Sequence, residues 1–169
     1  YSSSDGLPRD YVLSLHAATD GVLWIGTTQG LARIAGDRPV VPREPILADV
    51  RDVFGMTEAG GHLWFATDRG LLRHVDGGYS QVSSAQGLPF DTIFQMVEDG
   101  HGHLWLTGNR GIVRVALAEL EAAADGLDVS IVRPRTILGH GRLGIFGILF
   151  EWIADGRDPI VLGDGTNRY

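Results

Sequence analysis

The stretch GLPFDTIFQMVEDGHGHLWLTGNRGIVRV, residues 87–115, decides the fold, because the chain contains its pattern three times. Ile93 and Met96 mark an apolar strand, Asp99 to Gly102 a glycine-bearing turn, Leu104-Trp105 a second strand, and Ile112 to Val115 a third. Residues 6–36, GLPRDYVLSLHAATDGVLWIGTTQGLARIAG, carry the same plan, with Val12 and Leu15 opening the first strand. Residues 46–77, ILADVRDVFGMTEAGGHLWFATDRGLLRHVDG, carry it again without the Leu-Pro opening and with a turn one residue shorter. The Leu-Trp pair falls at Leu23-Trp24, Leu63-Trp64 and Leu104-Trp105, the next glycine at Gly30, Gly70 and Gly111, and an arginine at Arg33, Arg73 and Arg114. Each series steps by 40 and then 41 residues, so three anchors hold one period. Short strands separated by glycine turns indicate all-β structure. A period of about 40 residues suits one four-stranded propeller blade.

The expected fold is mainly β: three blade-like antiparallel sheets of an incomplete β-propeller, followed by a short βαβ segment. The repeats are placed at about 6–45, 46–86 and 87–124, so that residues 1–124 form the partial propeller and 125–169 a separate piece. Natural propellers typically close with about 4–8 blades. Three leave an inter-blade face open at each end, which missing blades, another chain or the C-terminal segment must cover.

Each repeat tryptophan is expected to fill the packing between neighbouring sheets rather than offer a sugar-stacking platform. Fully burying one large side chain contributes about 1.5–3 kcal/mol. The repeat arginines are expected at solvated edges or between blades. His101 and His103 could share a strand face and hold a metal, but no third ligand is identifiable and no metal site is assigned.

Composition removes several kinds of chemistry. The chain has 169 residues, 44% apolar and 21% charged, as in ordinary globular proteins. Its net charge of −7 gives no general attraction to nucleic acid or acidic membranes, and no apolar run is long enough to span a bilayer. Cysteine is absent, which excludes disulfides and thiolate metal sites. Lysine is absent too, all fourteen basic residues being arginine. A phosphate-binding Walker lysine, a Schiff-base lysine and a Tyr-x-x-x-Lys dyad are therefore impossible within these residues. Catalysis is not expected, and no catalytic residue is assigned. The chain begins at Tyr1 rather than Met and is read as a fragment.

Beyond Val115 the period stops. Residues 116–124, ALAELEAAA, are strong helix formers and are expected as a short surface helix or linker. After Asp125-Gly126, Val129 to Val132 reads as a strand, Leu143 to Ala154 as an apolar helix and Ile160 to Leu162 as another strand. The intervening loop places Gly139, Gly141 and Gly144 in a literal G-x-G-x-x-G, with Asp164 downstream, matching the letters of a dinucleotide fingerprint.

Two resemblances follow from these residues. The pattern Leu-Pro…Val-x-x-Ile…Asp-x-x-Gly-x-Leu-Trp-Ile-Gly-Thr…Gly-Leu resembles the two-component regulator propeller repeat over roughly residues 5–124, copies one and three matching best. This resemblance implies a non-catalytic extracytoplasmic or periplasmic sensor part of a bacterial signalling protein, with a carbohydrate or other small ligand. Residues 126–169 resemble part of an NAD-dependent epimerase/dehydratase of the extended short-chain dehydrogenase family, carried by Val132-Arg-Pro-Arg135, the glycine loop and Gly163-Asp-Gly165…Arg168. That resemblance implies that Arg168 contacts a nucleotide-sugar diphosphate, that Arg135 and Arg142 lie on the substrate-facing loop, and that the glycine loop is not the cofactor cradle. It implies NAD only if the missing cofactor-binding half were present, so no cofactor is expected here. Three readings stay open: a ligand-binding propeller fragment, a cytoplasmic epimerase remnant keeping only substrate-side residues, and a chimeric fragment with no independent function.

Overall fold

The computed structural model describes residues 1–127. They lie in the first of two compact units, Tyr1–Ile131 and Val132–Tyr169. The segment expected as β-loop-α-β, with Gly139, Gly141, Gly144, Arg135, Arg142 and Arg168, lies outside the described residues.

Among the described residues, ten strands form three separate antiparallel sheets. The first is β1 (Val12–Ala17), β2 (Leu23–Thr27) and β3 (Gly30–Ile34); the second is β4 (Val53–Ala59), β5 (His62–Thr67), β6 (Gly70–Val75) and β7 (Gly78–Val82). The third is β8 (Ile93–Glu98), β9 (His103–Gly108) and β10 (Gly111–Ala116), followed by one helix, α1 (Leu117–Ala124). Strand order follows chain order in every sheet. The chain is mainly β and is built from open, blade-like sheets of a propeller.

The three sheets share one register. Trp24 pairs with His16 and Arg33, Trp64 with Thr57 and Arg73, and Trp105 with Val97 and Arg114. Each first strand breaks its ladder at the same place, between Val12 and Ser14, Val53 and Gly55, and Ile93 and Gln95. An irregularity of this kind bends a strand and increases its twist, which a curved arc of sheets requires.

The Gly-Leu-Pro opening has a structural meaning. Short 3-10 turns at Ser3–Asp5 and Ser84–Gln86 end on Gly6 and Gly87, whose φ of 112° and 98° is left-handed. That turn delivers Leu7 and Leu88 into the core at 6% and 3% exposure. Copy two has a 3-10 turn at Pro45–Leu47 that ends on Ala48 in the right-handed region instead of a left-handed glycine, and Val50 is the buried residue ahead of its first strand.

Only the middle sheet has the four strands expected of every blade. In copy one, residues 35–44, AGDRPVVPRE, make a single antiparallel bridge, Arg33 to Val40. Pro39 and Pro42 have no N–H to give a ladder, and proline is tolerated only where that donor is not needed. In copy three the position after β10 goes to α1, whose residues favour helix and lack the β-branched side chains that suit strands. The expectation of a surface helix needs correcting: Leu117, Leu120 and Ala123 are buried. They join Trp64, Leu71, Val82, Leu104 and Leu106 in the core between sheets two and three. Between sheets one and two, Trp24, Leu31, Val53, Leu63, Phe65 and Leu72 pack together. The core thus lies between sheets, as in a propeller, not within one sheet.

Candidate functional site

Propeller sheets meet through a forward face and a backward face, and the repeat fills both with the same positions. Trp24 on the forward face of sheet one meets Phe65 edge-on at 5.3 Å between centroids, and His74 at 5.0 Å. Trp64 is fully buried against sheet three and α1, and its indole N–H donates to the Ala59 carbonyl at 3.2 Å. Trp105 occupies the equivalent place in sheet three but is 44% exposed, against the expectation of burial for all three. Its strand neighbour Val97 and nearby Ile112 are 59% and 69% exposed. The reason is position: no further sheet stands on this face among the described residues.

The backbone repeats the same contrast. The Gly30 N–H donates to the Arg51 carbonyl and the Gly70 N–H to the Asp91 carbonyl, both at 2.6 Å, tying each sheet to the segment that opens the next. Gly111, third in the series, makes no such bond among the described residues. These glycines sit at φ of 98°, 102° and 116°, and a Cβ at Gly70 would lie 2.3 Å from the Val82 carbonyl oxygen. Where sheets one and two approach, a Cβ on Gly26 would lie 2.4 Å from the Val53 carbonyl oxygen.

The repeat arginines share one geometry and differ in partners. Each guanidinium lies over its own blade's indole, at 5.9, 6.0 and 5.9 Å from the ring centroids of Trp24, Trp64 and Trp105. A cation in this position is attracted by the negative face of the ring. Arg73 is 7% exposed; it pairs with Asp125 and donates to the Glu121 carbonyl at the end of α1. Arg73 is therefore a buried cation holding the helix, not a solvated edge group. Arg114 donates through Nε and a terminal nitrogen to Asp99 at 3.0 and 2.8 Å. Burial alone would push the Asp99 carboxyl up. The Arg114 hydrogen bonds and charge, with the backbone N–H groups of His101 and His103, hold it well below the usual range. Asp99 thus organises the turn before β9. His101 and His103 flank this ion pair, and no group of three His, Cys, Asp or Glu able to hold a metal exists among the described residues.

Arg33 has no acidic partner within ion-pair distance among the described residues. It lines a crevice of about 630 Å³ with Val40, Val41, Arg43, Glu44, His74 and Tyr79. A second crevice of about 500 Å³, lined by Asp20, Trp24, Glu58, His62, His74 and Asp76, shares His74 and Gly77 with it. His74 therefore forms the partition, its ring tilted on Tyr79 at 4.9 Å. Burial and the Arg33 charge lower the His74 pKa, against the pull of Asp20 and Asp76. Burial pushes the Tyr79 hydroxyl up to about 12, with Arg33 acting against it and Glu44 with it.

Spacing singled out Trp24, Trp64, Trp105, Gly30, Gly70 and Gly111 and, with them, Arg33. It gave no sign of His74 or Tyr79, which occur in copy two alone, or of the loop 35–44 as a crevice wall. The expected substrate-side residues Arg135, Arg142 and Arg168, like the loop Gly139, Gly141 and Gly144, lie outside the described residues.

Comparison with known proteins agrees with this architecture. The family described as two component regulator propeller matches residues 6–29. The chain is similar to the extracellular domain of BT3049, assigned as a hybrid two component system of B. thetaiotaomicron. The TM-score is 0.62 and the identity 23%, over 70% of this chain and 17% of that one. The extracellular domain of BT4673 from the same organism is similar with a TM-score of 0.53 and 19% identity, over 69% of this chain and 19% of that one. The uncharacterized protein y4nG of Sinorhizobium fredii (strain NBRC 101917 / NGR234) is 62% identical over 45 residues, 27% of this chain and 11% of the relative. The chain thus spans less than a fifth of each of these proteins. None of the matches supports an epimerase assignment for residues 126–169. No helix among the described residues is long and apolar enough to cross a membrane.

Proposed function

We propose that residues 1–127 are a non-catalytic, ligand-binding portion of a propeller in the extracytoplasmic sensor part of a bacterial signalling protein, and that a further blade of the same repeat covers sheet three. The observation that carries this reading is the third member of each series. Trp24 and Trp64 are sealed by the following sheet, and Gly30 and Gly70 bond to it, whereas Trp105 is 44% exposed and Gly111 has no such bond among the described residues. An exposed apolar face built to one repeat's register suits another unit of that repeat, because the complementary surface is already specified twice within the chain. The sensor assignment draws on the regulator-propeller match and on neighbours that are extracellular domains of two component systems.

The test adds the absent unit. A copy of residues 46–86, with its own tryptophan changed to phenylalanine, replaces residues 128–168 and so continues the period. Trp105 emission then shifts to shorter wavelength and its acrylamide quenching falls towards that of Trp64. Unchanged emission and quenching of Trp105 in a folded protein would contradict the reading.

A further inference from the structure

We propose that the crevice between Arg33 and Tyr79 is a binding site for a small organic anion, a carboxylate carried on a ring or other apolar body. This rests on the reading of the propeller as ligand-binding and gives that reading a location and a ligand chemistry.

Three equivalent arginines differ in what they bind. Arg73 gives its two terminal nitrogens to the Glu121 carbonyl and Asp125, and Arg114 gives Nε and a terminal nitrogen to Asp99. Arg33, in the same register and over the same indole face, has no carboxylate within ion-pair distance among the described residues, Glu44 lining the same crevice without pairing to it. Its planar fork is oriented by Trp24, and a carboxylate is the group such a fork pairs with bidentately.

The crevice lies where the repeat is broken. The crevice exists because copy one lacks a fourth strand, and the proline-bearing segment 35–44 stands off from β3 except at the Arg33–Val40 bridge. The bridge is a full pair, with N to O distances of 2.9 and 2.8 Å, so the wall is tied at one point and open beyond it. Its volume of about 630 Å³ falls in the range of small-molecule sites, roughly 300–1,000 Å³.

The lining of the crevice is apolar and aromatic with an excess of positive charge. Val40 and Val41 are 55% and 40% exposed and face an aromatic wall of Tyr79 and His74, which suits an apolar or ring-shaped body. Two arginines, Arg33 and Arg43, stand against one carboxylate, Glu44. A locally positive crevice in a chain of net charge −7 is a departure that favours an anion. The charge of Arg33 is felt by both His74 and Tyr79, which places it electrically at the aromatic wall.

Ligand-observed NMR on the whole chain, with benzoate, phenylacetate and 3-phenylpropionate as probes and phenylacetamide as the neutral control, tests the proposal. At least one carboxylate is expected to saturate with a Kd of about 1 mM or tighter. The amide is expected to bind at least tenfold more weakly. Arg33→Gln is expected to remove carboxylate binding while lowering the melting temperature by no more than about 5 °C, through loss of the contact with Trp24, and Arg110→Gln, on a distant exposed turn, to leave binding intact. No saturation by any of the three carboxylates, equal binding of the amide, or full binding by Arg33→Gln would each overturn the assignment. None of these results bears on whether a further blade seals Trp105, so this inference can fail while the propeller reading stands.

Discussion

At the residue scale, Trp24, Trp64 and Trp105 show that a repeated side chain reports on its neighbour as much as on its own strand. All three have the same pairing and the same arginine overhead, yet one is 44% exposed because its environment belongs to the next sheet. The positions were legible in the sequence, since strand register fixes a constant spacing. The environment was not, since spacing carries no information about what lies opposite. Asp99 makes a second case, invisible to the repeat because copies one and two have no equivalent arginine–carboxylate turn. Its folded carboxyl is held below the unfolded value of about 3.9, so its contribution is present above that value and is lost as pH falls through the folded one. Urea melts of the native chain and Asp99→Asn are therefore expected to differ by a steady amount above about pH 5 and to converge as pH falls below about 4. A difference that stays constant through acid would show that the Arg114 pair contributes nothing.

At the scale of elements, the first three strands of each copy could be read from Leu-Trp, the flanking glycines and the apolar pairs Val12/Leu15, Val53/Met56 and Ile93/Met96. The fourth element could not. It is a strand in copy two, a proline-interrupted loop in copy one and a helix in copy three, because the outermost position of a blade is bonded on one side only and tolerates replacement. The helix sequence was plain; its buried role was not, because the partners Trp64, Leu71 and Val82 lie in another repeat. Helices shorter than about 12–15 residues are marginal alone, so α1 owes its stability to packing. Leu120 is fully buried, and Leu120→Ala is expected to destabilise the chain by about 2–5 kcal/mol, read by urea denaturation. A cost below about 1 kcal/mol would mean that the helix is not part of the core. The same contact explains Arg73: a buried arginine, it needs the helix end, where Asp125 and the Glu121 carbonyl meet its two terminal nitrogens.

At the scale of the molecule, three sheets stacked through two complete interfaces end on a third surface of the same kind with nothing on it among the described residues. The three indoles are therefore one structural position under different degrees of cover. Single-tryptophan variants, made by changing the other three tryptophans to phenylalanine, settle this by acrylamide quenching. The prediction is that Trp105 is quenched several-fold faster than Trp24 and Trp64, which are 2% and 0% exposed, and emits at longer wavelength than either. Equal quenching of all three, or a Trp64 more accessible than Trp105, would contradict it.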